Sequence, residues 1–227
     1  MVNEHGEELP VPMIENDTDL RNPALAFFDF ETFQHKLDDK PVENVPIEIG
    51  IMVLDLFGNV DEERSFETLI QPSNVVVSPQ RLQKARINPV DFANAMSEVE
   101  ASEEVIASLK DLDVIWVAHN APFDRGVLLR HFPDEDVFRH QHVLDTLKLS
   151  RLLFSGLGSY KLSRLAREFE VELPEIRHRS LADVALTIEV FKVLIGQFRF
   201  MNYNTLSELI HFSAITDFHV SKQLPLL

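Results

Sequence analysis

Asp29 and Glu31 close the apolar run Ala24-Leu25-Ala26-Phe27-Phe28. Such a run reads as a buried β-strand, and side chains alternate across a strand, so both carboxylates point to one face. Like charges that close repel unless a cation sits between them. Hard oxygen ligands suit Mg²⁺ or Mn²⁺. The pair also reads as two solvated acids at a strand end, so the rest of the chain has to decide. Asp124 ends His119-Asn120-Ala121-Pro122-Phe123-Asp124, which follows the apolar run Val114–Ala118 directly. Asn120 stands at an N-cap position with Pro122 in the first turn, so a helix begins where a strand ends. The acid either pairs with the helix dipole or, if the two strands are parallel neighbours, lies beside Asp29 and Glu31. Asp183 opens the clearest helix of the chain, with Leu181, Val184, Ile188, Phe191 and Ile195 on one face. Its spacing from Ser180 also fits a local capping box. His178 precedes this helix on a loop, as a surface residue or as a neighbour of that carboxylate.

Alternating apolar runs and turn signals predict the elements that position these groups. Val45–Leu56 reads as a second strand, Gly58-Asn59 as a turn, and Arg64–Ile70 as a returning third strand, giving an antiparallel meander. Gln34–Asn44 and Pro72–Ser78 read as loops. Pro79–Arg86 reads as a short helix with Pro in its first turn, and Ser102 opens another, with Val105, Ile106, Leu109 and Leu112 on one face. Val114–Ala118 is a central strand with Trp116 in the core. Val143–Leu153 and Tyr160–Phe169 read as helices separated by Ser155-Gly156-Leu157-Gly158-Ser159. The fold class is α/β, a mixed sheet of antiparallel and parallel strands flanked by helices.

The chain has 227 residues, enough for one sizeable domain with appendages. Cysteine is absent, which excludes disulfides, Cys-based zinc sites and a Cys nucleophile and fits a reducing cytoplasm. The acidic first residues lack the apolar core of a secretory signal, and no apolar run approaches the ~20 residues that span a bilayer, so a soluble, cytoplasmic protein with no membrane partner is expected. Acids outnumber bases 37 to 21, for a formal net charge of −16. That balance argues against tight coating of duplex nucleic acid. It leaves room for a nuclease whose carboxylates are neutralised by metal ions, with weak intrinsic grip or recruitment by a partner.

The acids and the histidine, in this order and these contexts, resemble the DEDDh family of 3′–5′ exonucleases, which includes the proofreading ε subunit of bacterial DNA polymerase III and RNase T. The likeness covers about Ala24 to Ile195. Its motifs are Asp29-Phe30-Glu31-Thr32 with Glu48-Ile49-Gly50, then Ala118–Asp124, then His178-Arg179-Ser180-Leu181-Ala182-Asp183, with Leu144-Asp145-Thr146-Leu147 and Tyr160-Lys161-Leu162 also family-like. The resemblance implies a ribonuclease H-like fold with a five-stranded mixed sheet. It also implies that Asp29, Glu31, Asp124 and Asp183 hold two divalent cations, Mg²⁺ or Mn²⁺, with Asp29 bridging them. One ion would activate the attacking water and the other would stabilise the leaving 3′ oxygen. His178 would be general base, an imidazole suited to taking a proton near neutral pH. Nucleoside 5′-monophosphates would leave from single-stranded DNA 3′ ends, in proofreading or repair, with RNA ends or short oligoribonucleotides as the alternative substrate. A non-catalytic binding module on the same fold would have lost one of these side chains, and none is lost.

Thr32 carries over as a contact to the terminal nucleotide, and Phe33, His119 and Asn120 join it as substrate-binding residues. Two stretches depart from the family pattern. Thr32-Phe33-Gln34 stands where Thr-Thr-Gly is frequent, which makes Phe33 either an apolar wall for the terminal base or part of the core. Ala85-Arg86-Ile87-Asn88-Pro89 replaces an Ile-His-Gly-Ile-like stretch. The expected organisation is an acidic flexible arm over 1–22, the exonuclease domain over 23–198 and an extension over 199–227. That extension carries an amphipathic segment with Leu206, Leu209 and Ile210. It ends Gln223-Leu224-Pro225-Leu226-Leu227, similar to the pentapeptide by which bacterial replication proteins dock on the sliding clamp. A clamp or a polymerase would supply recruitment.

Overall fold

The computed structural model describes residues 11–36, 42–132, 141–175 and 179–215. His178, residues 1–10 of the expected arm and the Gln223–Leu227 peptide lie outside the described residues.

The first strand, β1 (Pro23–His35), runs in the centre of the sheet. It pairs antiparallel with β2 (Glu43–Leu54), which pairs antiparallel with β3 (Val60–Gln71), as the turn at Gly58-Asn59 requires. On its other side β1 runs parallel to β5 (Asp113–Ala118). The outer members are β4 (Met96–Ser97) and β6 (Val143–Asp145). Among the described residues the order β4-β3-β2-β1-β5-β6 makes a sheet of six strands instead of the expected five. Both outer strands are too short to show a two-residue period. Val143–Asp145 is a strand where the sequence predicts a helix, because these residues pair with Trp116–Ala118 and the helix starts only at Thr146.

Alternation along β1 splits the core in two. Leu25 and Phe27 face α7 (Ser180–Phe200), where Phe27 meets Phe191 edge-on at 5.1 Å. This layer also contains α5 (Thr146–Leu153), α6 (Leu162–Glu168) and α8 (Leu206–Ser213). Ala24, Ala26, Phe28 and Phe30 face α3 (Glu98–Ser108) and α4 (Ala121–His131), with Trp116 buried against Phe28. A smaller cluster packs Ile47 against α1 (Pro79–Lys84) and α2 (Pro89–Phe92).

Three boundaries differ from the sequence reading for local reasons. The third helix starts at Glu98, four positions before Ser102, because Ser97 and Glu100 form a reciprocal capping box. Residues 11–22 are no free arm. Ile14 is fully buried, Met13 N donates to Leu56 O, and Asp17 accepts from Ser207 N at the start of α8. The segment after Phe200 also packs on the domain: Leu206 and Leu209 are buried and Ala214 bridges to Leu144 at the sheet edge. No helix among the described residues is long and apolar enough to cross a membrane.

Candidate active site

Asp29 stands opposite Gly50 and Glu31 opposite Glu48 on β2, while Gly50 stands opposite Glu67 on β3. Paired residues share a face, so Asp29, Glu31, Glu48 and Glu67 all project toward the start of α7. A register shift between Glu31 and Thr32 marks where β1 leaves regular pairing. Asp183, in the first turn of α7, completes the group: one carboxylate oxygen from each of Asp29, Glu31 and Asp183 lies within 4.8 Å of the others.

α7 reaches the sheet because nothing at Gly50 blocks it. A Cβ there would lie 2.5 Å from Leu181 N, so only glycine permits this approach. The helix start is held by the sheet. Ser180 N donates to Glu48 Oε2 at 3.0 Å and Leu181 N to Glu67 Oε1 at 3.1 Å, which satisfies two of the N–H groups every helix leaves open. Arg179 at the N-cap bridges both acids, with Nε 2.8 Å from Glu48 Oε1 and Nη2 2.6 Å from Glu67 Oε2. The capping box predicted between Ser180 and Asp183 is not formed, because Ser180 already lies inside the helix.

Asp124 is buried at the start of α4 on the other side of β1, and its Oδ1 accepts from Phe30 N at 3.2 Å. It lies outside the close trio. Its helix is not capped by the Asn120 side chain, since Asn120 adopts a left-handed backbone with φ 71°. Asp145, at the end of β6, does that work. Its Oδ1 accepts from Asn120 N at 3.0 Å, from Ala121 N at 3.3 Å and from Leu147 N at 3.0 Å, so one oxygen serves the starts of α4 and α5.

Burial and mutual repulsion set the protonation of the site. Asp29 is held well above the usual carboxylate range, first by burial and then by the charges of Asp124, Asp183, Glu31 and Glu48. Burial, Asp183 and Glu48 push Glu31 up to about 7, against a smaller downward pull from Arg179. Asp124 is raised chiefly by burial, although Phe30 N–H favours its charged form. Carboxylates gathered under such strain, with only oxygen donors, fit a divalent hard cation.

Thr32 and Phe33 line a groove of about 540 Å³ together with Glu31, Gln34, Ile47, Arg81, Lys84 and Ala85. Phe33 is half-buried: it packs against the small cluster of Ile47, Leu82, Ile87 and Phe92, and the Arg81 guanidinium rests over its ring. His119 is turned inward: its Nδ1 lies 2.9 Å from Thr146 Oγ1 and its Nε2 2.9 Å from Tyr160 O. Burial pushes its pKa down, and the ring ties the first residue of α5 to Tyr160 ahead of α6. The roles of Glu67, Arg179 and Asp145 were not assigned from sequence. A glutamate inside the apolar run Val45–Leu54 was the available signal, because a buried charge requires a partner.

The mixed sheet flanked by helices, with acids clustered at a strand end, is a ribonuclease H-like fold. The sequence profile of the exonuclease family RNase T matches residues 26–191. The chain belongs to that family, the DEDDh-type 3′–5′ exonucleases. Among curated relatives, the 3′-5′ exonuclease DinG of Staphylococcus aureus strain MRSA252 is 29% identical over 193 residues, covering 84% of this chain and 20% of the relative. The chain therefore spans about one fifth of the length of the curated relatives it matches. Exonuclease X in complex with 5′ overhanging duplex DNA superposes with a TM-score of 0.56 at 23% identity, over 83% of this chain and 98% of that one. Escherichia coli exonuclease I in complex with a dT13 oligonucleotide gives 0.62 at 19% identity, over 80% and 43%. A 3′-exonuclease that recognises the histone mRNA stem-loop gives 0.62 at 14%, over 76% and 81%. Enzymes of this family are generally dependent on divalent metal ions, and the carboxylate trio offers such an ion its ligands.

Proposed function

We propose that this chain hydrolyses the terminal phosphodiester of single-stranded DNA from the 3′ end, releasing nucleoside 5′-monophosphates. The observation that carries this reading is the carboxylate trio within 4.8 Å, one member of which, Glu31, lines a groove. Asp29, Glu31 and Asp183, with Asp124 behind β1, are the residues that would hold two Mg²⁺ or Mn²⁺ ions. Bound there, the ions supply a Lewis acid for the phosphoryl oxygens and favour water ionisation. The glutamates and Arg179 at the start of α7 keep Asp183 facing Asp29, and Asp145 keeps α4 and Asp124 in register with β1. Thr32 and Phe33 would orient the terminal nucleotide in the groove. His178, one residue before the Arg179 clamp in sequence, would accept the proton of the attacking water. DNA is placed before RNA because two of the fold neighbours named above hold DNA, while the third recognises an mRNA stem-loop.

The test is cleavage of 5′-labelled single strands of DNA and RNA with Mg²⁺, Mn²⁺ or EDTA. The expected result is metal-dependent shortening from the 3′ end, faster on DNA. A faster rate on RNA would transfer the assignment to RNA ends, and no shortening of either at high enzyme in Mn²⁺ would remove it.

A further inference from the structure

The wall of the groove facing Glu31 is built by α1, and its charge runs against that of the rest of the molecule. Pro79–Val90 carries Arg81, Lys84 and Arg86 and no acid, in a chain with 37 acids and 21 bases. Lys84 and Arg86 are exposed and Arg81 is half-buried. The other well-placed arginines of the sheet are committed: Arg179 to Glu48 and Glu67, Arg64 to Asp61 and the carbonyls of Ser108 and Lys110. Arg81 is not. Its guanidinium carbon rests 4.2 Å from the centre of the Phe33 ring, and among the described residues nothing accepts a hydrogen bond from its buried Nη1. A preorganised guanidinium without an acceptor costs free energy that an incoming anion recovers.

We propose that this wall carries the nucleic acid strand on the 5′ side of the bond being cut, with Arg81 and Lys84 meeting backbone phosphates and the Arg81 guanidinium, on its side away from Phe33, offering a flat face to the unpaired base next to the terminal one. The proposal rests on the exonuclease reading of the trio. A polyanion approaching the Asp29, Glu31 and Asp183 carboxylates needs cations outside the metal centre, and α1 supplies them in the groove that Glu31 lines. The planar guanidinium matches phosphate oxygens in two-point contact, and aromatic or guanidinium faces stack any base, so this wall reads strandedness and not sequence. Its occupant is single-stranded, because a paired base presents no open face.

The experiment is anisotropy binding of labelled oligothymidylates, from a dinucleotide to about a dozen nucleotides, to full-length Asp183→Asn protein in Mg²⁺. It is repeated with Arg81→Gln and Lys84→Gln added, and with Arg81→Lys alone, between about 50 and 200 mM salt. Each phosphate contact removed lowers the slope of log affinity against log salt by about 0.7, so the double substitution lowers it by about 1.4. The gain in affinity with length falls with it, and Arg81→Lys keeps the slope while weakening binding. Equal slopes and equal length dependence in all proteins overturn the proposal. The wild-type protein is assayed for cleavage in parallel. Absence of cleavage with the slope difference intact removes the exonuclease reading and leaves the strand-binding wall in place. Cleavage with no slope difference does the reverse.

Discussion

Arg179, one residue before α7, reaches back across the sheet to place its Nε 2.8 Å from Oε1 of Glu48, whose side chain is fully buried. Glu48 is thereby spent on holding a helix in place, although it faces the same way as the trio. Its own pKa is raised by burial, with Arg179 and Ser180 N–H pulling the other way. Removing Glu48 leaves Arg179 with Glu67 as its remaining partner and takes the acceptor from Ser180 N–H, a loss of about 1–3 kcal/mol. Glu48→Ala is therefore expected to lower unfolding free energy by that order in urea titration and to lower cleavage at saturating metal. Wild-type stability and activity would show that α7 does not depend on the clamp.

The pH response of the metal-free protein follows from Glu31. Its folded pKa of about 7 lies above the ordinary 4.5, so the folded chain binds this proton more tightly than the unfolded one. The resulting stability is fully present below about 4.5 and is lost as pH rises through about 7. In EDTA, the melting temperature of wild type is expected to fall relative to Glu31→Gln across that interval. With Mn²⁺ present the order is expected to reverse at high pH, since the charged carboxylate is the ligand proposed for it. A difference between the two proteins that is constant with pH would separate Glu31 from the repelling group.

Asp145 makes a more local prediction. Losing a cap at a helix start costs about 0.5–2 kcal/mol, and this oxygen serves two helices. Asp145→Ala is expected near or above the top of that range, with reduced activity because Asp124 moves with α4. Thermal unfolding and initial rates measure the two effects side by side.

Gly50→Ala inserts a methyl 2.5 Å from Leu181 N, and backbone cannot swing aside as a side chain does. Overpacking of this kind costs about 1–3 kcal/mol, and here the displaced element carries Asp183. The fold is expected to survive while activity falls by far more than stability. Parallel unfolding and rate measurements test this, and unchanged kinetics would place the contact outside the catalytic geometry.

Asp183→Ala is expected to abolish cleavage and weaken Mn²⁺ binding in calorimetric titration while the fold persists. His178→Ala is expected to slow cleavage by about 10²–10⁴-fold with Mn²⁺ affinity retained, as for the loss of a general base. Full activity of either variant contradicts the role assigned to it.

Much of this was legible because the decisive residues sit on long, strongly patterned elements. Ala24–Phe28 announces β1, and strand alternation alone places Asp29 and Glu31 on one face. The apolar stripe from Leu181 to Ile195 announces α7. Short elements carried no such period, so β4 and β6 were missed. Ser97 and Glu100 spell a capping box that the acids at Glu103 and Glu104 obscured. Ile14 is a single apolar residue among polar ones, and only tertiary contact with Leu56 and the start of α8 reveals its place. The pairing of Arg179 with Glu48 and Glu67 belongs to the same category, since no local spacing encodes a contact between distant strands and a helix start.

Asp29 comes from the first strand of the sheet and Asp183 from a helix near the other end of the described chain, and β1 meets β5 only after the whole antiparallel meander has been laid down. Contacts of such long range form late, after the entropy of closing large loops has been overcome. A ribosome-bound or half-unfolded chain therefore lacks the assembled trio. The trio is a property of the folded domain as a whole, complete only where its first strand and its distant helix have met.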